Sequence, residues 1–235
     1  VLGSNAVGAD DLKDHKLNQN VLIGAPGVDD GGVLALSNAL FTPGGVTRLE
    51  VYSTQAAEVR EALRLQTGGT LKLAAREIAV DADLVAHSGA IELTATNNVY
   101  QPDEGATIRI GDGVTLDVSG IWTNPWREAG APAPALDGGR IALSAQSRSE
   151  SGAYLTQGRV ALGAGAALRA DGGATLGRDG KPVYGRGGKL ALAAATLTGV
   201  GQAEWSALGV QRGGALALTA RDVRVADVPD AGAAL

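Results

Sequence analysis

A doubled glycine followed by a short run of alternating apolar residues recurs at least five times, and nothing else in the chain constrains its fold as strongly. The copies are Gly31-Gly32-Val33-Leu34-Ala35-Leu36, Gly68-Gly69-Thr70-Leu71-Lys72-Leu73, Gly138-Gly139-Arg140-Ile141-Ala142-Leu143, Gly187-Gly188-Lys189-Leu190-Ala191-Leu192 and Gly213-Gly214-Ala215-Leu216-Ala217-Leu218. Ser88-Gly89-Ala90-Ile91-Glu92-Leu93 is a looser copy. Each encodes a tight turn and then a strand whose every second side chain points inward. Such a unit buries its apolar face only by stacking on neighbours, which is the logic of a solenoid. No fixed set of catalytic residue types travels with the repeat.

Composition supports thin stacked coils. Glycine, at 35 of 235 residues, is roughly double its average usage, without the three-residue period of collagen. Hydrophobic residues make up 45% of the chain and aromatics only 3%, so the core is built from Leu, Val, Ile and Ala. Small flat inward faces suit stacked coils better than a thick sandwich. The net charge of −5 and the scattered basic residues argue against a nucleic-acid partner, which needs clustered Lys and Arg. No apolar run reaches the roughly 18–20 residues needed to span a bilayer. Cysteine is absent, which removes disulfides, thiolate zinc sites and thiol nucleophiles together. Methionine is absent too, position 1 included; the expectation is a fragment or processed product, with any signal peptide outside it.

The expected fold is all-β, a right-handed parallel β-helix with loop insertions and one short helix. An antiparallel sandwich with glycine-rich hairpins is the competing architecture that alternation alone permits. Residues 1–67 read as an irregular opening segment with the first coils, and residues 68–235 as the shaft. Within the first part, Val21-Leu22-Ile23 and Val46-Thr47-Arg48-Leu49-Glu50-Val51-Tyr52 read as strands. The stretch 55–66 holds Val59, Ala62 and Leu63 on one helical face among strong helix formers, and predicts a short helix capped by Ser53 or Thr54. The second glycines stand at 32, 69, 89, 139, 188 and 214. That uneven spacing predicts coils of about 20–25 residues, some lacking the glycine pair and others carrying loops. About ten coils at ~4.8 Å each would make a rod on the order of 50 Å. Two proline- and glycine-punctuated insertions, 120–137 and 177–187, belong outside the core.

The chemical candidates are few. His15 and His87 lack any metal-ligand or nucleophile-elbow spacing, and no phosphate loop is present. Asp10-Asp11, Asp29-Asp30 and Asp103-Glu104 are adjacent carboxylates at turns, whereas a glycosidase needs two facing each other across a cleft. Outward strand positions hold mainly Ala, Lys, Arg, Thr and Glu, with no concentration of Asp. No enzymatic activity, cofactor or metal is expected, although a polysaccharide lyase or hydrolase on a β-helix scaffold remains the alternative from another class. Asp171-Gly172-Gly173 reads as an ordinary turn before a calcium loop, because the calcium nonapeptide does not recur. Trp122, Trp126, Tyr184 and Trp205 are half of the eight aromatics. The three in the insertions, Trp122, Trp126 and Tyr184, either contact a glycan or protein partner or cover an apolar edge beneath a loop.

The repeats Gly-Gly-x-Leu-x-Leu-x-Ala at 187–194 and 213–220 carry a family resemblance. So does Ile108-Arg109-Ile110-Gly111-Asp112-Gly113-Val114-Thr115-Leu116-Asp117-Val118-Ser119-Gly120, running into Trp122-Thr123-Asn124. Over most of residues 68–225 the chain resembles the late β-helical region of filamentous-haemagglutinin-type, two-partner-secreted exoproteins of Gram-negative bacteria. The resemblance implies a shaft secreted through a partner outer-membrane pore to the cell surface, acting as a virulence adhesin on a host or neighbouring-cell receptor or glycan. The alternative within the same resemblance is the shaft of a contact-dependent toxin-delivery protein. The Asn-Pro-Asn motifs of such proteins' secretion domain are represented only by Asn124-Pro125-Trp126, so this region corresponds to shaft and not to export signal.

Overall fold

The computed structural model describes residues 20–23, 33–36, 46–97, 105–123, 136–147, 157–177 and 179–221. Over these residues the chain is a parallel β-helix of three long sheets. Sheet one holds β3 (Arg48–Tyr52), β6 (Thr70–Ala75), β9 (Ala90–Asn97), β12 (Arg140–Ser147), β17 (Lys189–Ala194) and β20 (Ala215–Thr219). Sheet two stacks β2 (Val33–Leu36), β1 (Asn20–Ile23), β4 (Ala56–Val59), β7 (Glu77–Val80), β10 (Thr107–Ile110), β13 (Arg159–Leu162) and β18 (Thr196–Thr198). Sheet three stacks β5 (Leu63–Arg64), β8 (Leu84–Val85), β11 (Thr115–Asp117), β14 (Ala167–Arg169) and β19 (Glu204–Ser206). From β3 onward the chain visits sheets one, two and three in turn, so each strand pairs with the one a full coil away. All of these pairings are parallel, which rules out the antiparallel sandwich.

Register makes the core a set of aliphatic columns. In sheet one, Leu49, Leu71, Ile91, Ile141, Leu190 and Leu216 lie in line, and Val51, Leu73, Leu93, Leu143, Leu192 and Leu218 form a second line. Sheet two contributes Ala57, Ile78, Ile108, Val160 and Leu197. Sheet three contributes Leu63, Leu84, Leu116, Leu168 and, in the last coil, Trp205. In sheet one, side chains of similar volume repeat at each level, so each rung fills the space left by the one below. A one-residue slip would send each column to solvent, and this pins the register.

The second glycine of three pairs, Gly139, Gly188 and Gly214, has a specific cause. The Gly89 carbonyl accepts the Arg140 amide, and the Gly139 carbonyl accepts Lys189, each at 2.9 Å. Gly139 therefore lies directly on the Gly89 backbone, and a Cβ there would press into the Gly89 carbonyl oxygen and come within 2.8 Å of its nitrogen. Gly188 on Gly139 and Gly214 on Gly188 repeat the same contact.

One expectation changes, and two features of the stack stand out beside it. Residues 55–66 form no helix: Ala57, Val59, Leu63 and Leu65 are buried at strand spacing around an exposed corner at residues 60–62, forming β4 and β5. Pairing with β1, β7 and β8 supplies the backbone partners a helix would have had, and tertiary context overrides helix propensity. Ser53 is a corner and not a helix cap; its Oγ accepts the Gln55 amide at 3.0 Å. The Val33–Leu36 copy sits in sheet two beside β1 and not in sheet one with its sequence relatives. Finally, Ile91 to Ile141 and Ile141 to Leu190 are each a single turn of the helix. The described stack is six rungs high in sheet one and seven in sheet two, about 25–30 Å.

Candidate functional site

The insertions leave the stack at one corner, after sheet three, on two successive coils, and build a small side sheet there. Ile121, Trp122 and Thr123 run beside β15 (Ala174–Leu176), with Trp122 and Ala174 forming a parallel bridge. The Ala174 amide donates to the Ile121 carbonyl at 3.1 Å, and the Thr123 amide to the Ala174 carbonyl at 3.0 Å. On its other side β15 pairs antiparallel with β16 (Pro182–Tyr184), Ala174 opposite Tyr184 and Leu176 opposite Pro182. The turn between them contains Gly180 at φ 73°, the left-handed conformation that glycine adopts without strain. Gly173 donates to Leu136 at 2.6 Å and Gly138 to Arg186 at 2.8 Å, tying both insertions to the corner.

The aromatic candidates separate clearly. Trp122 is 71% exposed, and Tyr184 is half-buried at the end of β16. Trp126 lies outside the described residues. Leu176 and Val183, each 44% exposed, join Trp122 on this outlying sheet, and sequence reasoning missed them; the paired apolar positions around Gly177 to Gly180 were the hairpin signal that could have found them. Trp205 takes the other route. Its ring packs on the core at the top of the sheet-three column, and its Nε1–H donates to the Val200 carbonyl at 2.9 Å.

The titratable candidates serve the scaffold. His87 bridges coils at a corner, Nδ1 lying 3.1 Å from the Ser119 carbonyl and Nε2 3.4 Å from Arg64 Nη1. Asp171 accepts the Ser206 hydroxyl at 2.5 Å and the Leu208 amide at 2.6 Å, fixing the next coil to its own. Asp83 and Asp112 likewise accept amides of the following coil, from Thr115 and Ala164. Asp81 receives a bidentate pair from Arg109 at 2.6 and 2.7 Å, and that hydrogen-bonded guanidinium holds its carboxyl below the usual range. His15 and the pairs Asp10-Asp11, Asp29-Asp30 and Asp103-Glu104 lie outside the described residues.

One outward row of sheet one is charged: Glu50, Lys72 and Glu92 stand in register on successive coils. Burial works against the charged form of Glu50, but hydrogen bonds from Tyr52 and Arg48 prevail and hold its carboxyl low. Lys72 Nζ stands 5.5 Å from the Tyr52 ring centroid, and Arg140 lies 3.8 Å from Glu92. Alternating signs across paired strands stabilise the ladder, and a carboxylate held ionised in this way is poorly suited to be a general acid. Among the described residues no cluster of three or more His, Asp or Glu is placed to hold a metal ion. No described helix is long and apolar enough to cross a membrane. No family model, curated protein or solved structure matches the chain.

Proposed function

We propose that the chain is a rigid, non-catalytic shaft segment of a large bacterial exoprotein of the filamentous-haemagglutinin type, carried through an outer-membrane pore to the cell surface. Its role is geometric. The stacked coils hold a fixed axis, and the side sheet at one corner presents contacts to a host or neighbouring cell.

The observation behind this reading is the contrast between the stack and its one described outgrowth. Corner carboxylates such as Asp171 and Asp83 hold the next coil, and Asp81 and Glu50 are engaged by arginine. The largest exposed ring described, Trp122, projects where the chain departs from the coil. A polypeptide using its charges for stacking and leaving an indole in water is arranged for contact and not for turnover.

Two assays on the full chain test it. Labelled protein should bind epithelial or bacterial cells saturably, and it should release no new reducing ends or unsaturated uronates from acidic polysaccharides. Turnover abolished by one carboxylate change, Glu92→Gln for example, would overturn the shaft reading in favour of a lyase or hydrolase.

A further inference from the structure

The side sheet sets three residues in one row. Trp122 is bridged to Ala174, and Ala174 is opposed on its other side by Tyr184. Directly opposed residues of a pleated sheet project from the same face, so the indole and the phenol flank an alanine, two strand spacings or about 9.6 Å apart at the backbone. Leu176 and Pro182, opposed to each other two residues along, lie on that face as well. Ala174 itself is buried between its neighbours, so the two rings, and not the alanine, are what this row offers to a ligand. Trp122 stays open while Trp205, in the last coil, is packed and hydrogen-bonded, so the fold does accommodate an indole against its core where one is needed there.

We propose that this face binds a chain of pyranose sugars, with the Trp122 and Tyr184 rings each taking the C–H face of a different sugar unit. The proposal rests on the reading of the chain as a surface-contact protein and narrows it to one class of ligand. Size argues against a folded protein as the occupant. Each aromatic side chain buries about 150–250 Å², so this short row falls below the roughly 800 Å² per partner of a stable protein interface. A glycan needs far less area, and its alternating apolar faces and hydroxyl edges fit two rings set in one row across the side sheet.

The test is a printed panel of neutral and uronate-containing pyranose oligosaccharides of increasing length, probed with the full chain. Calorimetric titration of the best-bound sugar follows. Affinity should rise when the oligosaccharide becomes long enough to reach the second ring. It should fall about tenfold or more in Trp122→Ala and in Tyr184→Ala, the loss expected of a central aromatic contact, and be largely kept in Trp122→Phe. Melting curves of Trp122→Ala should match those of the parent, because the indole contributes little to the core. No binding across the panel, or binding unchanged in both alanine variants, overturns the proposal. Binding to cells that persists in both variants overturns it too, while leaving the surface-contact reading standing.

Discussion

Two glycines of the same repeat answer to different neighbours. A Cβ on Gly139 would drive into the Gly89 backbone, whereas one on Gly213 meets nothing within 4 Å. Gly139→Ala should therefore cost about 1–3 kcal/mol, the range for overpacking, and Gly213→Ala close to nothing, read as the shift in urea midpoint. Asp81 gives a second prediction. Its folded carboxyl titrates below its unfolded value because Arg109 grips it, so the stabilisation is complete above the unfolded value. It disappears as pH falls through the folded one. Both partners are about half exposed, so the effect is small and screened by salt. Asp81→Asn should be less stable than the parent at neutral pH, and the two should converge in acid below about pH 4; a gap that is flat down to pH 2 would count against the ion pair as its source.

Strands were the legible elements, because alternation such as Leu71, Leu73 or Ile141, Leu143 has one physical meaning when glycine precedes it. The misread stretch, 55–66, shows the limit. Val59, Ala62 and Leu63 satisfy a helical face, but Ala57, Val59, Leu63 and Leu65 satisfy two short strands around a corner, and only the long-range pairing with β7 and β8 decides. The side sheet was half legible: Trp122 and Tyr184 stood out as large rings in insertions, but their common row depends on Ala174, which no local pattern marks. Position within the stack governs cost at this scale. Leu143 is buried between β9 and β17, whereas Leu218 occupies the same column in β20 at 36% exposure, below Leu216 at 52%. Leu143→Ala should lose about 2–5 kcal/mol. Leu218→Ala should lose well under half of that by the same chemical denaturation, and equal losses would show that the last described rung is covered in solution.

Across the whole molecule, cohesion comes from nearest-neighbour terms, since each coil touches only the one before and the one after. The described stack is shorter than the rod expected from sequence because the excursions between β9 and β12 and between β12 and β17 lengthen single turns instead of adding new ones. Gly69 and Gly89 occupy equivalent seats, their carbonyls accepting Ala90 and Arg140 respectively. Excising residues 70–89 should then let β3 rest on β9 and leave a cooperatively folded chain one turn shorter, seen as a retained sharp melting transition and a smaller hydrodynamic radius. A broad, non-cooperative melt would mean that this turn holds something its neighbours cannot replace. The chain of glycine carbonyls carries a wider consequence. Each joint uses the same fitting at both ends, so reach can be altered by duplication or loss of one module without redesigning the rest, and how far the side sheet stands from its base becomes a quantity that inheritance can adjust in steps.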